Sequence, residues 1–237
     1  GSDEKYLITS KTADLCFGCH TEAEEESKSS MMIHKPFTDQ VACSNCHYPH
    51  SSATSPLLRD EANSLCLGCH NKTITGDSTT ISNISRLLQR SKTIHLPVVQ
   101  GGCIMCHQPH YSGQHSLLTA YYNPEQYAEA TPENFELCFL CHDTDLLEAR
   151  ETEYGTSFRN GNQNLHAVHI NGEKGRGCSM CHDVHAAPGD RLIINTIQFV
   201  SWPMKMEFRL TENGATCATG CHAIREYDRL SAVDNVR

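Results

Sequence analysis

The stretch Cys43-Ser-Asn-Cys46-His47-Tyr-Pro-His50 puts two cysteines and two histidines into eight positions. Alone it suits a zinc knuckle, a disulfide corner, a redox-active dithiol or a clamp for a prosthetic group. The rest of the chain decides. Two cysteines separated by two residues and followed by histidine recur at Cys16, Cys19 and His20, at Cys66, Cys69 and His70, and at Cys103, Cys106 and His107. They recur again at Cys138, Cys141 and His142, and at Cys178, Cys181 and His182. A seventh copy, Cys217, Cys221 and His222, carries one more residue between its cysteines. The seven copies use all fourteen cysteines.

C-x-x-C-H reads as a site of covalent c-type haem attachment. Two thiols must reach two vinyl groups on one edge of a macrocycle, and the next residue must turn its imidazole to the iron. A zinc or dithiol site has no need of a histidine directly after the second cysteine each time. The cysteines are therefore read as thioether donors and the seven following histidines as proximal iron ligands.

Fifteen histidines less those seven leave eight. His50, His110 and His185 each follow a proximal histidine by three residues, while His34, His95 and His169 precede Cys43, Cys103 and Cys178 by nine, eight and nine. Each such block follows a plainer L-C-x-x-C-H motif, so the repeating blocks are residues 16–50, 66–110 and 138–185, with a terminal site at 217–222. Recurrence of a unit too small to bury a core of its own marks a repeat architecture. His50, His110 and His185 lie on the proximal side of the motif they follow and are expected to ligate a different haem. His34, His95 and His169 are expected to curl over the haems of Cys43, Cys103 and Cys178. His166, in Asn-Leu-His-Ala-Val-His, is assigned as the seventh distal ligand, directed at the last haem. His115 breaks the pattern and reads as a loop residue.

With Cys-Ser-Asn-Cys-His-Tyr-Pro-His, Cys-Ile-Met-Cys-His-Gln-Pro-His and Cys-Ser-Met-Cys-His-Asp-Val-His in view, the chain resembles the doubled-C-x-x-C-H multihaem cytochromes c of metal-reducing and related bacteria. The resemblance implies electron transfer, closely spaced bis-histidine haems and a periplasmic or outer-surface location. It also implies redox partners: quinol-oxidising inner-membrane cytochromes, periplasmic cytochromes and outer-membrane porin–cytochrome complexes.

Composition agrees with a cofactor-built interior. Hydrophobic residues are 38% of the 237, with a single tryptophan, Trp202. At roughly 34 residues per motif, the macrocycles are expected to form the core of one heptahaem unit spanning 1–237. The fold class expected is mostly irregular with short α-helices carrying the motifs, and a small β-hairpin near the C-terminus. The hairpin is read from Arg191–Leu210, rich in β-branched and aromatic residues on either side of Pro203. Ile81, Ile84, Leu87 and Leu88 share one helical face, and residues 124–138 read as helix broken at Pro132. Residues 75–83 and 154–164 read as linkers. No apolar run approaches the roughly 18 residues of a membrane span. The Gly1-Ser2 start reads as an expression scar or a processed end, which leaves room for a removed export signal. A formal charge of −9 argues against nucleic acid and anionic membrane surfaces.

The function expected is an electron carrier with histidine on both faces of each iron and no position for substrate. The competing reading is a reductase for nitrite, hydroxylamine or sulfur oxyanions, which needs one five-coordinate haem. A third is a subunit of a larger cytochrome assembly, in which a ligand passes between chains.

Overall fold

The computed structural model describes residues 12–76 and 79–235. Gly1-Ser2 and residues 77–78 of the Ser/Thr-rich loop lie outside them. The chain divides into two compact units. One holds the residues up to Ser82 with Gln100–Ala120, and the other holds Asn83–Val99 and the residues from Tyr121 on.

Regular structure is sparse and short, as a chain with few apolar runs dictates. Among the described residues the longest helix is Thr21–Ser29, at nine residues. The first motif of each block ends a short α-helix: Thr12–Phe17, Ala62–Cys69 or Glu136–Phe139. The second motif sits instead on a 3₁₀ turn: Ala42–Asn45, Cys103–Met105 or Cys178–Met180. In two of these the preceding backbone is left-handed, at Ala42 (φ 39°) and Gly102 (φ 78°), which stops a helix from entering the motif. All six nonetheless share one closure. The histidine N–H donates to the carbonyl of the first cysteine at 2.9–3.1 Å, from His20 to Cys16 through His182 to Cys178. That turn folds the histidine back over its first cysteine.

The expected hairpin is present as Thr196–Phe199 against Trp202–Leu210 and extends into a four-stranded antiparallel sheet with Gly214–Thr219 and His222–Asp228. The seventh motif lies in this sheet, not on a helix. Cys217 pairs with Phe208 and Arg225, and the register shifts between Cys217 and Thr219. The additional residue of C-x-x-x-C-H is taken up by this bulge and the turn into His222.

Three local readings change. Asn83 caps the helix Ile84–Arg90 by accepting the Arg86 N–H at 2.8 Å, and Ile81 belongs to the strand Thr80–Ile81 paired with Ile74–Thr75. Residues 124–131 are not helical, because Tyr127 bridges Arg176 and the turn starts only at Pro132–Phe135, behind the Thr131 cap. Proline suits that first turn, where its missing N–H costs nothing. The stretch read as a linker at 154–164 contains a hairpin, Arg159–Asn160 against Gln163–Asn164, with Gly161 at φ 55°.

Two buried clusters abut the cysteines. Phe135, Leu147, Ala128 and Ile170 pack with Cys138 and Cys178, while Met180, Met204 and Met206 pack with Cys181. Apolar residues in or beside the motifs stay open by contrast: Leu15 is 55% exposed, Ile104 54% and Leu140 59%. Phe135 is fully buried, so Phe135→Ala is expected to cost about 3–5 kcal/mol, read by denaturant unfolding of the haem-loaded protein.

Candidate cofactor sites

The imidazoles decide what the motifs can hold. His34 faces His70 with ring centroids 6.3 Å apart and planes 14° from parallel. His95 faces His142 at 6.2 Å and 15°, and His166 faces His182 at 6.4 Å and 24°. His47 and His110 stand 6.0 Å apart with planes at 39°, and His169 and His222 stand 6.5 Å apart at 51°. One metal with an imidazole nitrogen at about 2 Å on either side separates the two ring centres by about 6 Å. In each pair one partner is the histidine of a C-x-x-C-H or C-x-x-x-C-H motif. The residues therefore fit a covalently held haem whose iron is taken by the motif histidine on one face and a distant histidine on the other. Among the described residues no group of three or more His, Cys, Asp or Glu converges as a zinc site requires, and none of the cysteines is in a disulfide.

The pairing differs from that expected. His34 faces His70 rather than curling back over His47, His95 faces His142 rather than His107, and His169 faces His222 rather than His182. His166 faces His182 rather than the last motif. The reason is a pair of two-residue strands. Met32–Ile33 pairs antiparallel with Tyr111–Ser112, and Thr93–Ile94 pairs with Ala186–Ala187. Each bridge carries the histidine that ends the first strand forward into the next block. At the third position Asn164 caps the helix Leu165–Ile170, which carries both His166 and His169.

Main-chain oxygens hold the rings. A carbonyl can only accept, so each Nδ1 facing one is protonated, and the Nε2 lone pair is left for a metal. His47, His107 and His182 donate from Nδ1 to the carbonyls of Pro56, Ser116 and Arg191 at 2.9–3.0 Å, nine residues on in every case. Beyond each carbonyl a leucine lies in the left-handed region: Leu57 (φ 62°), Leu117 (φ 57°) and Leu192 (φ 60°). His34 and His95 donate to Pro109 and Val184 at 2.9 and 3.0 Å. Those acceptors are the residues just before His110 and His185. His169 donates to Leu165 at 2.6 Å, and His166 meets Thr156 Oγ1 at 3.1 Å. The acceptors were not read from the sequence. Their signal is a repeated pair ten and eleven residues after the proximal histidine, Leu57-Leu58, Leu117-Leu118 and Leu192-Ile193.

His115 sits at the start of the same loop, beside Ser116. His185 accepts the His95 N–H on its carbonyl at 3.0 Å, and its own N–H donates to Asp183 at 2.9 Å. Among the described residues, neither His20 nor His50 has a ring facing it within the spacing of the five pairs.

At some of these rings burial favours the neutral form, which ligation requires. It pulls His166 down to about 4 and lowers His70, His110, His142 and His182 from the ordinary value. The thiols show which motifs adjoin. Cys16 adjoins Cys43, Cys66 adjoins Cys103, and Cys138 adjoins Cys178. Cys46 lies near Cys69, and Cys181, raised to about 11 by burial, lies near Cys217 and Cys221. Within each unit, consecutive motifs are thus neighbours.

Residues 34–75 and 95–146 match the family model described as the doubled CXXCH motif. These are the motifs of a multihaem c-type cytochrome. Each matched segment opens on a distal histidine, His34 or His95, and encloses the proximal histidine that it faces, His70 or His142. No curated protein sequence matches the chain.

His34→Met is expected to leave one low-spin haem with a raised potential, because a thioether favours reduced iron. Paramagnetic NMR of the ferric protein is expected to place the change at the Cys66–Cys69 haem, and that of His95→Met at the Cys138–Cys141 haem. A change at Cys43–Cys46 or Cys103–Cys106 would support ligation within the block instead.

Proposed function

We propose that the chain is an electron-transfer protein that holds seven haems c, four in the first unit and three in the second, and passes electrons between other redox proteins. The observation that supports this most directly is the five facing imidazole pairs among the described residues, each closing both faces of one site. Such a haem supplies reversible one-electron exchange, with its potential set by ligands, burial and hydrogen bonds. The residues of the chain do the remaining work. The cysteines of consecutive motifs adjoin, which keeps neighbouring redox centres close within a unit. The carbonyls of Pro56, Ser116 and Arg191 fix the proximal rings. At the paired sites a second imidazole takes the position that a substrate would need, which favours a carrier over a reductase.

A c-type cytochrome is assembled after export, which supports a periplasmic or outer-surface location with quinol-oxidising, periplasmic or porin-associated cytochromes as partners. Among the described residues no helix is long and apolar enough to cross a membrane.

The test is intact mass under denaturing conditions together with a potentiometric titration. Seven haem masses and full reversible reduction are expected. Six masses would mean that Cys217 and Cys221 carry none, and irreversible or incomplete reduction would contradict the carrier reading. With a formal charge of −9, electron exchange with a cationic small-molecule donor is expected to slow as ionic strength rises, and exchange with an anionic donor to quicken. Stopped-flow rates across a salt series check both signs.

A further inference from the structure

The bridges that deliver His34 and His95 follow one rule. A distal histidine docks on the segment that trails the second motif of a block and faces the first motif of that same block. In the second block the trailing segment is Pro109–Ser112. Pro109 O accepts His34 Nδ1–H at 2.9 Å, His110 O accepts the His34 N–H at 2.8 Å, and Tyr111–Ser112 pairs with Met32–Ile33. In the third block Val184 O, His185 O and Ala186–Ala187 do the same for His95 and Thr93–Ile94. The proximal histidines faced are His70 and His142, one from the first motif of each block.

The first block has the same segment, Pro49-His50-Ser51-Ser52, and the same first motif, ending at His20. The loop beyond it is also the same, with His47 bridged to Leu58 as His107 is to Leu118 and His182 to Ile193. Among the described residues nothing hydrogen-bonds the carbonyls of Pro49 or His50, and Ser51–Ser52 has no strand partner. The burial differs accordingly. Ser112 is 3% exposed and Ala187 fully buried under their covering strands, whereas Ser51 is exposed and Ser52 half-buried.

We propose that Pro49–Ser52 is the docking slot for an extended segment of a partner cytochrome that ends in histidine, and that this histidine closes the second face of the haem held by Cys16, Cys19 and His20. This rests on the reading of the motifs as haem sites. The occupant has defined chemistry. It is a short strand of the kind this chain carries at Met32–His34 and Thr93–His95, giving its histidine N–H to His50 O and its Nδ1–H to Pro49 O. The partner is itself a haem-bearing doubled-motif repeat, because His110, in the place of His50, faces His47 of the block that supplies the strand. His50 is the imidazole offered in return.

The probe is the pentapeptide acetyl-Met-Met-Ile-His-Lys-amide, residues 31–35 of this chain, added to the haem-loaded protein. Intact mass first confirms a haem on Cys16 and Cys19; its absence would overturn the cofactor reading and this proposal together. The EPR spectrum of the ferric protein is then expected to show high-spin iron equivalent to about one haem per chain. The pentapeptide is expected to convert it to low spin, and the same peptide with alanine for histidine to leave it unchanged. A peptide methylated on the histidine backbone nitrogen cannot donate to His50 O and is expected to bind about tenfold more weakly. With every haem mass present, three results overturn the proposal while leaving the electron-transfer reading intact. One is an absence of high-spin iron in dilute protein. Another is a pentapeptide no tighter than free imidazole. The third is loss of the high-spin signal on self-association, which would make a second copy the occupant.

Discussion

The structure depends on one constraint: two imidazoles must face each other across the width of a single metal. A C-x-x-C-H motif supplies the first through a local turn, His N–H to Cys carbonyl, which any such motif can form. The second must come from elsewhere, and in four of the five pairs seen among the described residues the chain brings it from a different block, His166 and His182 sharing the third. That requirement sets the topology. Two-residue strands such as Met32–Ile33 with Tyr111–Ser112 are too short to stabilise anything alone. They work as latches that aim a histidine.

The same constraint accounts for the thin protein core. Phe135, Leu147 and their neighbours, and the cluster around Met180, Met204 and Met206, are built against cysteines rather than against other layers of secondary structure. Apart from His166, which meets Thr156 Oγ1, the rings described are held by main-chain carbonyls, which need no particular side chain. Pro56, Ser116 and Arg191 serve identically because each presents an oxygen nine residues after its histidine. Side chains between motifs can therefore vary while the turn geometry recurs, including the left-handed leucine in each loop.

This explains what could be read from the sequence. Cysteines and proximal histidines are legible because their chemistry demands adjacency along the chain. The scarcity of long helices and the hairpin around Pro203 followed from composition and β-propensity. The partners of His34, His95 and His169 are not legible in the spacing, which suggests a local loop over the nearest motif. For His34 and His95 the connection is a non-local antiparallel bridge whose register is written in backbone atoms, and His169 rides on the helix Leu165–Ile170. Ile81 was placed on a helix by its periodicity, and the Asn83 cap overrode it. The seventh motif was expected on a helix like the others, but its additional residue suits a strand bulge between Cys217 and Thr219.

The central claim is that His34, His95, His110 and His169 each cross from their own block to another. A high-resolution structure of the haem-loaded protein, with each iron and its two nitrogens resolved, tests it most directly. The account predicts single irons between His34 and His70, between His47 and His110, and between His95 and His142. It predicts two more between His166 and His182 and between His169 and His222. An iron held by His34 and His47 together, or by His95 and His107, would contradict it.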